Sequence, residues 1–78
     1  MKLDQMRELF NYGTAKACEI LPSPNNSARW SLLCVMRNGE KVFLEKARDG
    51  IREFTSIDSA INTADDIGFK EAFLRWDK

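Results

Sequence analysis

Three carboxylates, Glu45, Asp49 and Glu53, fall within nine residues of one another. Two carboxyl groups held close can divide acid and base work between them. Here Lys46, Arg48 and Arg52 are interleaved with the acids. That mixture is the pattern of solvated, mutually paired turn charges rather than of a cleft. Cys18 and Cys34 are the only cysteines, and the chain holds no His. A thiol without an imidazole lacks the usual base that would activate it, and no Gly-x-Ser-x-Gly elbow surrounds any serine. The absence of His also excludes a Ser-His-Asp triad and any His-ligated metal. Asp58, Asn62, Asp65 and Asp66 share one side of a helical stretch and offer oxygen to a hard cation, but without the loop spacing of a calcium site. Gly13, Gly39, Gly50 and Gly68 are dispersed, each at an expected element boundary, so no glycine-rich loop is present to cradle phosphate. The residues therefore call for no catalytic group, no cofactor and no metal, and the expectation is a protein that is not an enzyme.

Twelve basic residues balance twelve acidic ones, for a formal charge of zero. A dedicated phosphate-binding surface normally carries net positive charge. Residues 28–54 hold six basic groups against four acids, whereas residues 55–78 hold five acids against three bases. This mild dipole leaves weak nucleic-acid binding through Arg37, Lys41, Arg48 and Arg52 as a minor reading. A protein partner suits a charge-balanced surface better. Aromatic and arginine side chains dominate the energetic centres of protein interfaces. Phe43, flanked by Arg37, Lys41, Arg48 and Arg52, is accordingly the expected partner-binding group.

The composition is 44% apolar and 31% charged, which fits one folded domain over residues 1–78. A chain this short buries roughly 60% of its unfolded surface. Homodimerisation is one route by which so small a core can be enlarged. Early charges at Lys2, Asp4, Arg7 and Glu8 interrupt any signal-peptide core, and the longest apolar run, Leu32 to Met36, is far short of a membrane span. The expectation is a cytoplasmic protein with no membrane contact. Two cysteines outside any CxxC pattern read as reduced, half-buried thiols, with a disulfide open to them only if they lie on adjacent strands.

Leu3, Met6 and Phe10 recur at helical spacing, and Gly13 is placed to end the helix in the left-handed conformation. A short strand is expected over 15–21. Pro22-Ser23-Pro24-Asn25-Asn26-Ser27 is a loop, expected to be the mobile segment. Residues 29–36 read as a strand with Trp30, Leu32, Cys34 and Met36 on one face. Asn38-Gly39 predicts a hairpin with a type I′ turn. Residues 41–46 return with Val42 and Leu44 inward and Phe43 on the other face. A turn at 48–50 leads to a strand over 51–54 that continues the meander. Thr55 or Ser56 caps a second helix whose stripe is Ile57, Ala60, Ile61, Ala64 and Ile67, and Gly68 ends it. Residues 69–76 fit a helix or a strand by periodicity. We take them as a closing strand that buries Trp76. The expected fold class is α+β: an antiparallel meander sheet of four to five strands in the order α-β-β-β-β-α-β, with the N-terminal helix and the second helix packed on one face.

Trp30-Ser31-Leu32, then Leu44, then Arg48-Asp49-Gly50-Ile51-Arg52-Glu53-Phe54-Thr55-Ser56-Ile57-Asp58-Ser59-Ala60, and finally Ile67-Gly68-Phe69, form a recognisable series. It resembles small proteins of proteobacterial plasmids and integrative elements labelled ParC-type partition-associated. Their pattern is W-x-L, a distant Leu, R-G-x-[VI]-R-x-F-x-S-[LI]-D-x-A and a closing [LI]-G-[IF]. The resemblance covers residues 28–69, with Asp49 inserted between the arginine and the glycine. It implies an accessory role on a mobile genetic element and assigns an activity to no residue. Together these readings lead us to expect a non-catalytic protein-interaction module accessory to plasmid partition or maintenance. The alternative is a small inhibitor of host defence, such as an anti-CRISPR or anti-restriction protein, that acts by steric binding.

Overall fold

The computed structural model describes residues 1–76, in the order α1 (Leu3–Asn11), β1 (Ala15–Pro22), β2 (Trp30–Met36), β3 (Lys41–Phe43), β4 (Glu53–Phe54), α2 (Ile57–Ile67) and β5 (Phe73–Leu74). The result is an α+β fold with a mixed five-stranded sheet. Strand β2 is central. It pairs antiparallel with β1 on one edge, and on its other edge with β3 opposite Leu33–Val35 and β4 opposite Trp30–Ser31. Beyond β1 lies β5, which runs parallel to it, with Glu19 opposite Phe73 and Ile20 opposite Leu74.

Three features depart from a simple meander. The strand expected over 41–46 leaves the ladder after Phe43. Leu44 still donates to the Leu32 carbonyl, but Glu45 turns away to receive Met1 and bridges Lys2 and Ile51. This vacates the edge of β2 for β4, so β3 and β4 lie end to end rather than side by side. The 36–40 hairpin forms, but not with a type I′ turn. Gly39 N–H donates to the Met36 carbonyl, Met36 N–H donates to Glu40, and only Gly39 takes positive φ, at +92°. That is a type I turn followed by a left-handed glycine, the three-residue alternative. The closing strand is two residues long and parallel, and Trp76 is 66% exposed rather than buried.

The core lies on one face of the sheet. Cys18, Ile20, Leu32, Cys34 and Met36 point to it, and Met6 of α1 with Ala60, Ala64 and Ile67 of α2 cover them. The small alanines let α2 lie close as it crosses from β4 to β5. Its cap is Ser56, whose hydroxyl accepts from Ser59 N–H at 3.1 Å. Ile61, expected in the buried stripe, instead stands at its margin and is 46% exposed. Strand β1 carries a bulge at Lys16, because Ala15 faces Met36 while Ala17 faces Val35. The extra residue lets Ala15 and Cys18, three apart, both point inward. The 22–29 loop is tied back on itself, through Ser23 N–H to the Arg29 carbonyl at 2.8 Å and Arg29 N–H to Asn26 at 2.9 Å.

The two helices meet at a close approach. Gly68 has φ +128°, and a Cβ placed there would stand 2.6 Å from the Phe10 ring. That ring in turn meets Phe69 edge to face at 4.9 Å. Gly68→Ala should therefore destabilise on the order of 1–3 kcal/mol, the usual cost of overpacking. Gly39→Ala, with open space at its Cβ position, is the control that bears the backbone conformation alone. Urea unfolding of both variants separates the two contributions.

Candidate functional site

Both helices pack on one side of the sheet, which leaves the other side without a helix. Pairing and alternation place Ala17, Glu19 and Leu21 of β1, Leu33 and Val35 of β2, Lys41 and Phe43 of β3, and Phe73 of β5 on that open side. Leu21, Leu33, Val35 and Phe43 are half-buried, and Phe73 is 63% exposed. Ser31 shares this side, fully buried, and donates to the Leu21 carbonyl at 3.0 Å. Glu53 also lies there and accepts from Ser23 Oγ at 2.6 Å.

Glu19 sits in the row Phe73–Glu19–Leu33–Phe43, an acid among apolar neighbours with its side chain 14% exposed. Each carboxylate oxygen has its own cation. Arg75 Nη1 lies 2.9 Å from Oε1, and Lys41 Nζ lies 3.5 Å from Oε2. The two cations arrive from opposite edges of the sheet, Lys41 reaching across β2 and Arg75 from beyond β5. Burial pushes the Glu19 carboxyl up, but the Arg75 hydrogen bond and the charge and hydrogen bond of Lys41 outweigh it and hold the group below the ordinary glutamate value. Sequence reasoning missed Glu19 and Arg75. The available signal was an acid set between Cys18 and Ile20 in the apolar run Ala17 to Leu21, a position that demands a cation.

The five expected partner-binding residues do not form one cluster. Lys41 and Phe43 share the open side, two residues apart on β3. Arg37 lies in the β2–β3 turn, with its Nε donating to the Gly13 carbonyl. Arg48 is exposed in the 47–50 turn. Arg52 belongs to the helix side. Its guanidinium stands 5.6 Å from the Phe54 ring centroid, and it lines a shallow pocket of ≈ 290 Å³ with Asp4 and Glu45.

The three carboxylates weighed for acid–base work are likewise apart. Glu45 lies 2.9 Å from the Met1 ammonium, Glu53 meets Ser23, and Asp49 is exposed in its turn. Of the acids on α2, Asp66 pairs with Arg7. Among the described residues, no three His, Cys, Asp or Glu side chains come together to hold a metal ion, and no helix is long and apolar enough to cross a membrane.

Cys18 and Cys34 face each other across the β1–β2 ladder, both free and fully buried rather than half-buried. Burial pushes Cys18 up to about 11, helped by the charge of Glu19, and Cys34 up to about 12, helped by Cys18. Neither supplies thiolate near neutral pH. No family model matches the chain, and neither does any curated protein or solved structure.

Two predictions follow from these groups. Because the Glu19 value is lowered by folding, its contribution to stability is complete above the ordinary carboxylate range and is lost as pH falls through the lowered value. Glu19→Gln should flatten the loss of stability between roughly pH 5 and pH 2, read by urea unfolding at each pH. An unchanged acid limb would show that the Arg75 and Lys41 contacts add nothing to folding. The buried thiols should react with a disulfide reagent only at the rate of unfolding, so mild urea should accelerate both together.

Proposed function

We propose that the chain is a non-catalytic protein-interaction module that docks its partner on the open side of the sheet, around Phe43 and Lys41. The observation that carries this reading is the sheet face itself. A contiguous row of half-buried and exposed apolar side chains surrounds Glu19, whose two oxygens are already met by Lys41 and Arg75. Such a face can be desolvated with little loss to its charged groups, since Glu19 keeps its partners when a second surface covers it. Phe43 supplies an aromatic centre, and Lys41 a charge beside it. The placement of Arg37, Arg48 and Arg52 away from this row gives them peripheral roles at most.

The partner class comes from the resemblance of residues 28–69 to partition-associated proteins of mobile elements. On that reading the partner is a protein of the plasmid partition or maintenance machinery. The alternative, a steric inhibitor of host defence, would use the same face and differ only in what it covers.

The test is affinity capture from the native host with the unaltered chain and with Phe43→Ser, followed by mass spectrometry. A partition ATPase or its DNA-binding partner, captured through moderate salt and bound about 30-fold more weakly by Phe43→Ser, is the expected result, since a central aromatic is worth about 2 kcal/mol. Capture of a CRISPR or restriction subunit with the same Phe43 dependence would replace the maintenance role with the inhibitory one. Partners indifferent to Phe43 would overturn the docking face. Affinity for DNA or RNA that falls steeply with salt would instead favour the nucleic-acid reading.

A further inference from the structure

Strand β5 ends the sheet on the β1 side. Of the five large apolar side chains left exposed among the described residues, Phe73, Leu74 and Trp76 lie on or beside it. A fourth, Ile61, lines a pocket of ≈ 300 Å³ between α2 and the approach to β5, together with Ala64, Phe69 and Ala72. The backbone is open as well. Arg75 N–H donates to the Ile20 carbonyl at 2.8 Å. In a parallel ladder the bonding groups of successive residues alternate between edges. The N–H and C=O of Leu74 are therefore directed away from β1. Natural edge strands are usually guarded by lysine, proline or a bulge. The stretch Ala72-Phe73-Leu74-Arg75-Trp76 contains neither lysine nor proline, and its only guards are Arg75 and the two-residue length of β5.

We propose that a second copy of the chain pairs with β5, antiparallel, about a two-fold axis through Leu74. This register sets Leu74 against the second copy's Leu74 and lets the two exchange both backbone hydrogen bonds. Phe73 then faces Arg75, whose guanidinium stays on Glu19, so like charges are not opposed. Ala72 faces Trp76, the smallest side chain against the largest. That last match also places Trp76 of each copy beside the other's pocket, because Ala72 forms part of the pocket wall. A knob that is 66% exposed on one copy thus meets a hole on the other, twice. Neighbouring registers lack this fit. Centring on Arg75 opposes two like charges. Centring on Phe73 carries Trp76 onto the bend at Lys70, where the extended segment begins. The contact is isologous, so it closes at two chains and builds no filament. Its Phe73 and Arg75 contacts border the open face, but the pairing is centred on Leu74, and Phe43 lies on β3 with β2 and β1 between.

The mass in solution, followed by sedimentation over a wide concentration range, tests the proposal. The unaltered chain should pass from monomer to dimer and go no further. Leu74→Pro removes an N–H that makes no bond to β1, so it should leave the circular dichroism unchanged and yield monomer. Trp76→Ala should weaken the dimer at least 10-fold, given the ~2 kcal/mol of a central aromatic anchor. Leu74→Cys reads the register directly. With oxidised glutathione it should give a covalent dimer across the axis, whereas Phe73→Cys, which faces Arg75 and not itself, should give far less. A chain that stays monomeric at millimolar concentration overturns the proposal. So does a dimer untouched by both Leu74→Pro and Trp76→Ala, or equal cross-linking at positions 73 and 74.

Discussion

Strand β2 meets three other strands along its two edges, and nearly every other element is placed through it. Its β1 edge is a single seven-rung antiparallel ladder from Ala15–Met36 to Pro22–Trp30, broken only at the Lys16 bulge. Its far edge is shared, with β3 taking Leu33 to Val35 and β4 taking Trp30 and Ser31. Leu32 and Cys34, both fully buried, supply the centre of the floor on which the helices lie. A change that tilted β2 would move the open face, the core and the start of α2 together. This explains why a chain of 78 residues can hold a sheet whose outer strands are only two or three residues long. Those strands add little stability of their own: β3 and β4 are positioned by β2, and β5 by β1, which β2 holds in turn.

What was legible in the sequence was what is local. The Leu3-Met6-Phe10 spacing and the Ile57-to-Ile67 stripe each became a helix, and Gly13 and Gly68 ended them with positive φ. The even-numbered face of β2 is buried as its parity requires. What was not legible depended on partners far along the chain. Nothing near Phe43 announces that Glu45 will leave the ladder for Met1 and Lys2. A bulge at Lys16 shifts the parity of β1 without any glycine or proline to mark it. Residues 69–76 fitted two periods equally, and their parallel pairing with β1 is set by where α2 delivers them. The site followed the same rule. Phe43 and Lys41 were singled out and do share a face, whereas Arg37, Arg48 and Arg52, adjacent in reasoning, are dispersed by the turns that carry them. Glu19 was overlooked because its meaning lies in two cations, 22 and 56 residues away.

The open face shows how a small sheet can keep apolar surface in water. A charged residue within an apolar row both interrupts the patch and holds down the side chains beside it. Lys41 and Arg75 reach Glu19 from the two edges and meet its two oxygens.

The pairing of β1 with β5 links points 54 residues apart at both of its rungs, Glu19–Phe73 and Ile20–Leu74. Contacts that close so long a loop form late, since the chain entropy they consume must be offset by structure already in place. On the ribosome, β1, β2 and β3 emerge and can zip together while residues 73–74 are still unmade. During that interval the outer edge of β1 is bare, with the Ile20 carbonyl and its neighbours facing solvent. The last strand therefore acts as a seal on a nascent chain, and a molecule whose synthesis stopped short of Phe73 would carry an open template for pairing with whatever strand came near.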